Sequence, residues 1–246
     1  NEGDKSGVSV SLSSDGSILA IGATDNNGTG YNSGHVRVYQ QNNLDESGYI
    51  VGSSGTRWAI DESEIIYANN FRDYKFYNKG NGTYKIKTED GLDDITGIEK
   101  LTFADKATGV NVTNEIKGVF DQITGLETDS GEMFRLYNAS FARFPDASGL
   151  KYWIEKYSSG ENDSRAVASS FLVSDEFSER YGENISDSSY VNTLYKNVLG
   201  RDADTSGLNY WQGQLSSGAE TRHEVLLGFA ESAENKGLFT EMTGFG

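Results

Sequence analysis

Asp202, Asp204 and Ser206 stand at alternate positions and are followed at once by Gly207. Three side-chain oxygens so spaced, with a glycine for the turn, can wrap a hard cation, which makes calcium the expected ligand. The twelfth position of such a loop holds Gly213, where a bidentate Glu would normally close the shell. A sister stretch lies 58 residues earlier: Asp146, Ser148 and Gly149 recur, and Phe144 replaces the first carboxylate. In both stretches the aspartate is equally placed to cap the helix that follows, and the glycine to let helices approach closely; this is the plainer reading. A further calcium candidate, Asp25, opens the polar loop Asp25-Asn26-Asn27-Gly28-Thr29-Gly30. Asp90, Asp93 and Asp94 cluster before a strand, where charge also discourages edge-to-edge pairing.

Catalytic chemistry finds less to work with. The chain has no cysteine, which removes disulfides, thiolate nucleophiles and thiolate metal sites. His35 and His223 are the two histidines, and neither is accompanied by a partner motif. A nucleophile elbow, a zinc-protease helix motif and a phosphate-cradling glycine loop are all missing. Carboxylates abound, but nothing in their spacing singles out an acid–base pair. The expectation is a protein that is not an enzyme. Trp153 and Trp211 each follow a tyrosine and could stack on sugar rings, although matched positions of a duplicated helix more often anchor a core. Arg143 and Arg201 are placed to bond helix-end carbonyls or a nearby acid.

These residues sit in 246 positions, enough for two or three small domains. A net charge of −16 repels nucleic-acid phosphates and anionic lipid heads, so neither is an expected partner. No apolar run approaches the roughly 20 residues that span a bilayer. The chain opens on Asn1 without an initiator Met, as a piece excised from something longer would.

Three regions must position the candidates. In residues 1–43, Val8, Val10 and Leu12 alternate with serines, the period of a half-buried strand. Asp15-Gly16 marks a turn, and strands are predicted at Ile18–Gly22 and His35–Tyr39. Together with Gly3–Val8 and Ser33-Gly34, these segments resemble one FG-GAP-type β-propeller repeat. The resemblance implies a β blade and, in that family, a calcium site near the Asp25 loop. A lone blade leaves unpaired edges that a neighbour must complete.

Residues 44–113 are expected to form a small antiparallel β module. Tyr74–Tyr77 and Thr83–Lys87 flank Asn78-Lys79-Gly80-Asn81-Gly82, a hairpin signal. The following run Asp93–Asp105 is similar to a β module of RTX-type secreted bacterial proteins. The glycine-rich calcium nonapeptide of that family is not present, so its calcium roll does not carry over.

Residues 114–246 turn helical and are duplicated. An ungapped offset of 58 carries Leu136-Tyr137 onto Leu194-Tyr195, Arg143 onto Arg201 and Asp146 onto Asp204. It also carries Ser148-Gly149-Leu150 onto Ser206-Gly207-Leu208, Tyr152-Trp153 onto Tyr210-Trp211, Phe171 onto Phe229 and Glu176 onto Glu234. Two tandem helical repeats follow, spanning about 134–177 and 192–235. The pattern resembles a bacterial helical domain of unknown function found at the ends of RTX-type and S-layer-like proteins, and is related to the phycobilisome linker repeat. What it implies is a context: exported, modular, often calcium-associated.

The reading as a whole is a multidomain α+β chain, with antiparallel β modules first and an all-α duplicated domain after them. The expected function is a non-catalytic structural or adhesive protein on the cell surface or outside the cell, with calcium as a candidate stabiliser, whose partners are copies of itself, other surface proteins or glycans. The alternatives are a calcium-dependent glycan-binding module of an adhesin or fibre, and an accessory terminal domain of a secreted enzyme.

Overall fold

The computed structural model describes residues 5–12, 18–24, 35–40, 50–51, 55–59, 63–89 and 91–246, and the chain divides into two compact units, Asn1–Gly118 and Val119–Gly246. Strands fill the first and helices the second, the α+β order that the residue patterns predict.

In the first unit, β1 (Lys5–Leu12), β2 (Ile18–Thr24) and β3 (His35–Gln40) form an antiparallel sheet ordered β1-β2-β3. The strands fall where the alternating pattern puts them. Asp25 and Asp90 lie outside the described residues. A second sheet is ordered β11-β10-β6-β5-β4. It joins β4 (Ile50–Val51), β5 (Arg57–Trp58), β6 (Glu64–Ile66), β10 (Lys100–Phe103) and β11 (Lys106–Asn111). The expected antiparallel pattern is broken at one place: β6 and β10 run parallel. Parallel neighbours need a long crossover. Here the connection contains a sheet of its own, β7 (Lys75–Asn78), β8 (Tyr84–Thr88) and β9 (Gly91–Asp94). The β7–β8 hairpin turns through Gly80, Asn81 and Gly82, all with positive φ, which is why that run of glycine and asparagine is needed. Tyr67, Phe71, Tyr74, Phe76 and Phe103 form the core of this unit, with neighbouring ring centroids 5.0–6.3 Å apart.

A π-helical turn, Val112–Lys117, and the short helix α1 (Gly118–Phe120) lead onward. The helical unit then runs through two matched sets. The first is α2 (Asp129–Phe141), α3 (Ala147–Ser158), α4 (Ser164–Leu172) and α5 (Asp175–Tyr181). The second is α6 (Asp187–Leu199), α7 (Thr205–Ser217), α8 (Arg222–Ala230) and α9 (Ala233–Thr243). Each helix of the second set begins 58 residues after its counterpart (129 and 187, 147 and 205, 164 and 222, 175 and 233). Sequence dictates those starts. The N-cap residues pair as Thr128 with Ser186, Asp146 with Asp204, Asp163 with Thr221, and Ser174 with Ser232. All are oxygen-bearing side chains suited to the orphan N–H groups of a first turn.

The matched apolar positions Leu136 and Leu194, Val167 and Val225, and Phe171 and Phe229 are all buried. Each such side chain contributes about 1.5–3 kcal/mol by leaving water. The two sets interlock instead of sitting side by side, for α2 packs on α6 and α8 as well as α3, and α4 packs on α8. One charged residue ties them together from within. Arg135 of α2 is 2% exposed, and its Nε and Nη2 donate to Glu231 at the end of α8 at 2.9 and 2.7 Å. Its Nη1 donates to the Leu126 carbonyl at 2.6 Å. No helix among the described residues is long and apolar enough to cross a membrane.

Candidate functional site

The repeated chemistry-bearing residues gather at the junction between the first and second helix of each set. Arg143 follows α2. Its Nε donates to Glu176 Oε1 at 2.5 Å and its Nη2 to Oε2 at 3.0 Å, a fork on a fork. Nη1 donates to the Phe144 carbonyl at 3.0 Å, and the guanidinium lies 5.2 Å from the Tyr137 ring centroid. Arg201 repeats this arrangement 58 residues on. Its Nε and Nη2 donate to Glu234 at 2.8 and 2.9 Å, and its guanidinium lies 4.9 Å from the Tyr195 ring. Of the predicted alternatives for these arginines, the nearby acid is realised in both sets, while the carbonyl that Arg143 bonds belongs to Phe144 in the loop between α2 and α3 and not to a helix end. Planar bidentate pairing suits guanidinium and not ammonium, so Lys would not substitute.

The electrostatics follow. Burial weighs against the Arg143 cation, but the Glu176 bonds, Tyr137 and Asp146 outweigh it and hold the guanidinium firmly charged. Burial pushes the Tyr137 hydroxyl up to about 12, with Asp146 and Glu176 adding to the rise against the opposing pull of Arg143. At the second junction, the Arg201 bonds hold Glu234 below the usual carboxylate range.

The calcium candidates lie inside this framework. Asp204 Oδ1 accepts from Ser206 Oγ at 2.5 Å and from the Gly207 N–H at 2.9 Å, the bonds of an N-cap. Its Oδ2 lies 3.6 Å from Arg201. The Ser206 and Gly207 donors, with Arg201, depress the Asp204 carboxyl. Asp202 faces Lys196 at 3.4 Å. In the first set Asp146 is the N-cap of α3 without a side-chain cap bond. Its Oδ2 instead meets Arg143 at 3.0 Å and accepts from the Tyr137 hydroxyl at 3.3 Å. Ser148 sits in the first turn of α3. Among the described residues no group of three or more His, Asp or Glu side chains is gathered as a metal site. As folded, these oxygens serve a helix cap and face cations, a donor set that does not fit a calcium shell. Asp94, from the acidic cluster ahead of β10, accepts from the Thr96 N–H at 2.8 Å.

The glycine of each loop has a packing role. A Cβ on Gly207 would stand 2.0 Å from the Tyr195 hydroxyl, and one on Gly149 would stand 3.3 Å from the Tyr137 hydroxyl. The tyrosine of the first helix therefore lies across the first turn of the second. The aromatic pairs divide their work: Trp153 meets Phe171 edge-on at 4.9 Å and Trp211 lies 5.4 Å from Phe229, while Tyr152 and Tyr210 are 51% and 54% exposed. The tryptophans are anchors, and the tyrosines beside them face solvent.

Sequence reasoning paired Glu176 with Glu234 through the offset but did not name them as the arginine partners. The signal was present, because Arg–Glu spacing is 33 residues in both sets. Arg135 and Glu231 carry no such signal, since their offset positions, Thr193 and Val173, are uncharged. A family described as "Domain of unknown function (DUF4214)" matches residues 168–239, from within α4 to within α9. Searches of curated proteins and of solved structures find no match to the chain.

Proposed function

We propose that this chain is a non-catalytic structural or adhesive protein that works outside the cell and joins copies of itself, or other surface proteins, through its β unit. The observation that carries this reading is the β1-β2-β3 sheet. Its outer strands, of eight and six residues, each pair on one side only among the described residues. A strand edge is a row of backbone donors and acceptors that another chain can complete. The duplicated helical unit supports the same reading. Two of its arginine–glutamate pairs, Arg143–Glu176 and Arg201–Glu234, form internal braces at matched positions, and a third, Arg135–Glu231, ties the two sets together. A net charge of −16 and the lack of cysteine suit an exported, salt-exposed protein, and they also limit association to geometries that keep like charges apart.

Size-exclusion chromatography with light scattering tests this over a dilution series, run with millimolar calcium and again with EGTA. The expected result is a mass that grows with concentration and is the same under both conditions. A strict monomer at every concentration would overturn the assembly reading. Growth in calcium alone would place the Asp202–Gly207 loop back at the centre of the account.

A further inference from the structure

Helix α7 is unlike its counterpart α3. In α3, Leu150 is fully buried, whereas α7 has no buried residue along its 13 positions. None of those residues, Thr205–Ser217, is charged, although 24% of the chain is Asp, Glu, Lys or Arg. The duplication shows what changed. Tyr-Trp is kept at 152–153 and 210–211, while Lys151 becomes Asn209, Ile154 becomes Gln212, Glu155 becomes Gly213 and Lys156 becomes Gln214. Charge has been replaced around a retained aromatic pair by amides and a glycine.

The geometry of that pair differs too. In α3 the Lys156 ammonium lies 5.6 Å from the centre of the Tyr152 ring and covers its face. The equivalent side chain in α7 is the neutral Gln214. Tyr210 is 54% exposed and is braced edge-on by Trp211, with ring centroids 5.0 Å apart and planes at 72°. Three residues on, along the same helix face, a Cβ at Gly213 would meet nothing within 4 Å. A flat ring therefore stands beside a bare stretch of helix backbone, with Asn209 exposed next to it.

We infer that this face of α7 binds a neutral polysaccharide, with one pyranose ring stacked on Tyr210 and its hydroxyls bonded by Asn209 and Gln214. The C–H groups on the face of a pyranose are weakly positive and suit the negative face of an aromatic ring. Amide side chains both donate and accept, as sugar hydroxyls require. Charge selects among occupants. The helix offers no cation to an acidic glycan, and the net charge of −16 repels one. A protein partner would need an interface of about 1,200 Å² or more with several apolar anchors, and this face presents one exposed ring. The inference rests on the adhesive side of the function proposed above and gives it a ligand class.

Isothermal titration of the full chain tests it, with cellohexaose, laminarihexaose, xylohexaose and mannohexaose as neutral probes and an alginate oligomer as the acidic one. At least one neutral probe is expected to bind, unchanged by EGTA, and alginate is not. Tyr210→Ala should weaken that binding at least tenfold. Gly213→Glu, which restores the carboxylate of the counterpart, favours helix and meets no neighbour at its Cβ, should do the same without disturbing the fold. Tyr152→Ala should bind like the parent. Binding by none of the neutral probes, equal binding of alginate, loss in EGTA, or parental affinity in Tyr210→Ala and Gly213→Glu would overturn the inference. Light scattering of the same variants separates the two proposals: assembly that survives without sugar binding leaves the strand-edge reading standing, and the converse leaves this one.

Discussion

A tyrosine hydroxyl of the first helix lies close against a glycine in the first turn of the second helix of each repeat. Alanine is the better helix former, so Gly207→Ala should strengthen α7 on propensity alone. The missing space decides otherwise, because the new methyl would lie 2.0 Å from the Tyr195 hydroxyl. The expected outcome is a net loss of about 1–3 kcal/mol in chemical denaturation, with Gly149→Ala losing less, since its closest approach is 3.3 Å. The arginine forks give a second prediction. The Arg143 side chain is 15% exposed and Arg201 is 43% exposed. Removing Arg143 strands Glu176 in a partly dry setting, so Arg143→Ala should cost about 2–3 kcal/mol. Arg201→Ala should cost distinctly less, because water screens and replaces the Glu234 pair. Equal losses in the two variants, measured by urea denaturation, would count against burial as the cause. At this scale the positions were legible in sequence, since each repeat vouches for the other. The partners were less so, because they lie 33 residues apart and meet only once the helices pack.

Helix ends carry the next scale of the account. The long first helix of each set stops at a left-handed residue, Ala142 with φ +47° after α2 and Gly200 with φ +68° after α6. Only glycine takes that conformation without strain. Ala142→Gly should therefore stabilise the helical unit by about 0.5–1 kcal/mol, read as a raised thermal midpoint; a lowered one would mean that the Ala142 methyl contributes packing that outweighs its strain. Elements were readable where they were long or repeated. The caps Asp146 and Asp204 announce helices directly, and the β7–β8 turn is written in Gly80, Asn81 and Gly82. β4, β5 and β6 are two or three residues each, too short for any periodicity to show. The parallel β6–β10 pair joins residues about 36 positions apart and has no local signature. The Ser174 cap opens the seven-residue α5, whose Phe177 and Tyr181 stack at 4.0 Å and are both buried.

At the scale of the molecule, the helical unit is tied together internally, and the proposed assembly draws on the strand edges of the β unit. The interlocking of α2 and α4 with α8, and the pairing of buried Arg135 with half-buried Glu231, make two sequence repeats into one core. Repetition alone would equally suit two separate modules, so this could not be read from the offset. Charge, lack of cysteine and scattered carboxylates gave only expectations about function, and the one-sided pairing of β1 and β3 among the described residues supplies the direction of the proposal. Hydrogen–deuterium exchange across the concentration range of the light-scattering series tests that direction most closely. As the mass grows, backbone amides of β1 and β3 should gain protection while those of α2 through α9 stay unchanged. Protection gained in the helical unit alone, or nowhere at all, would contradict assembly through the strand edges.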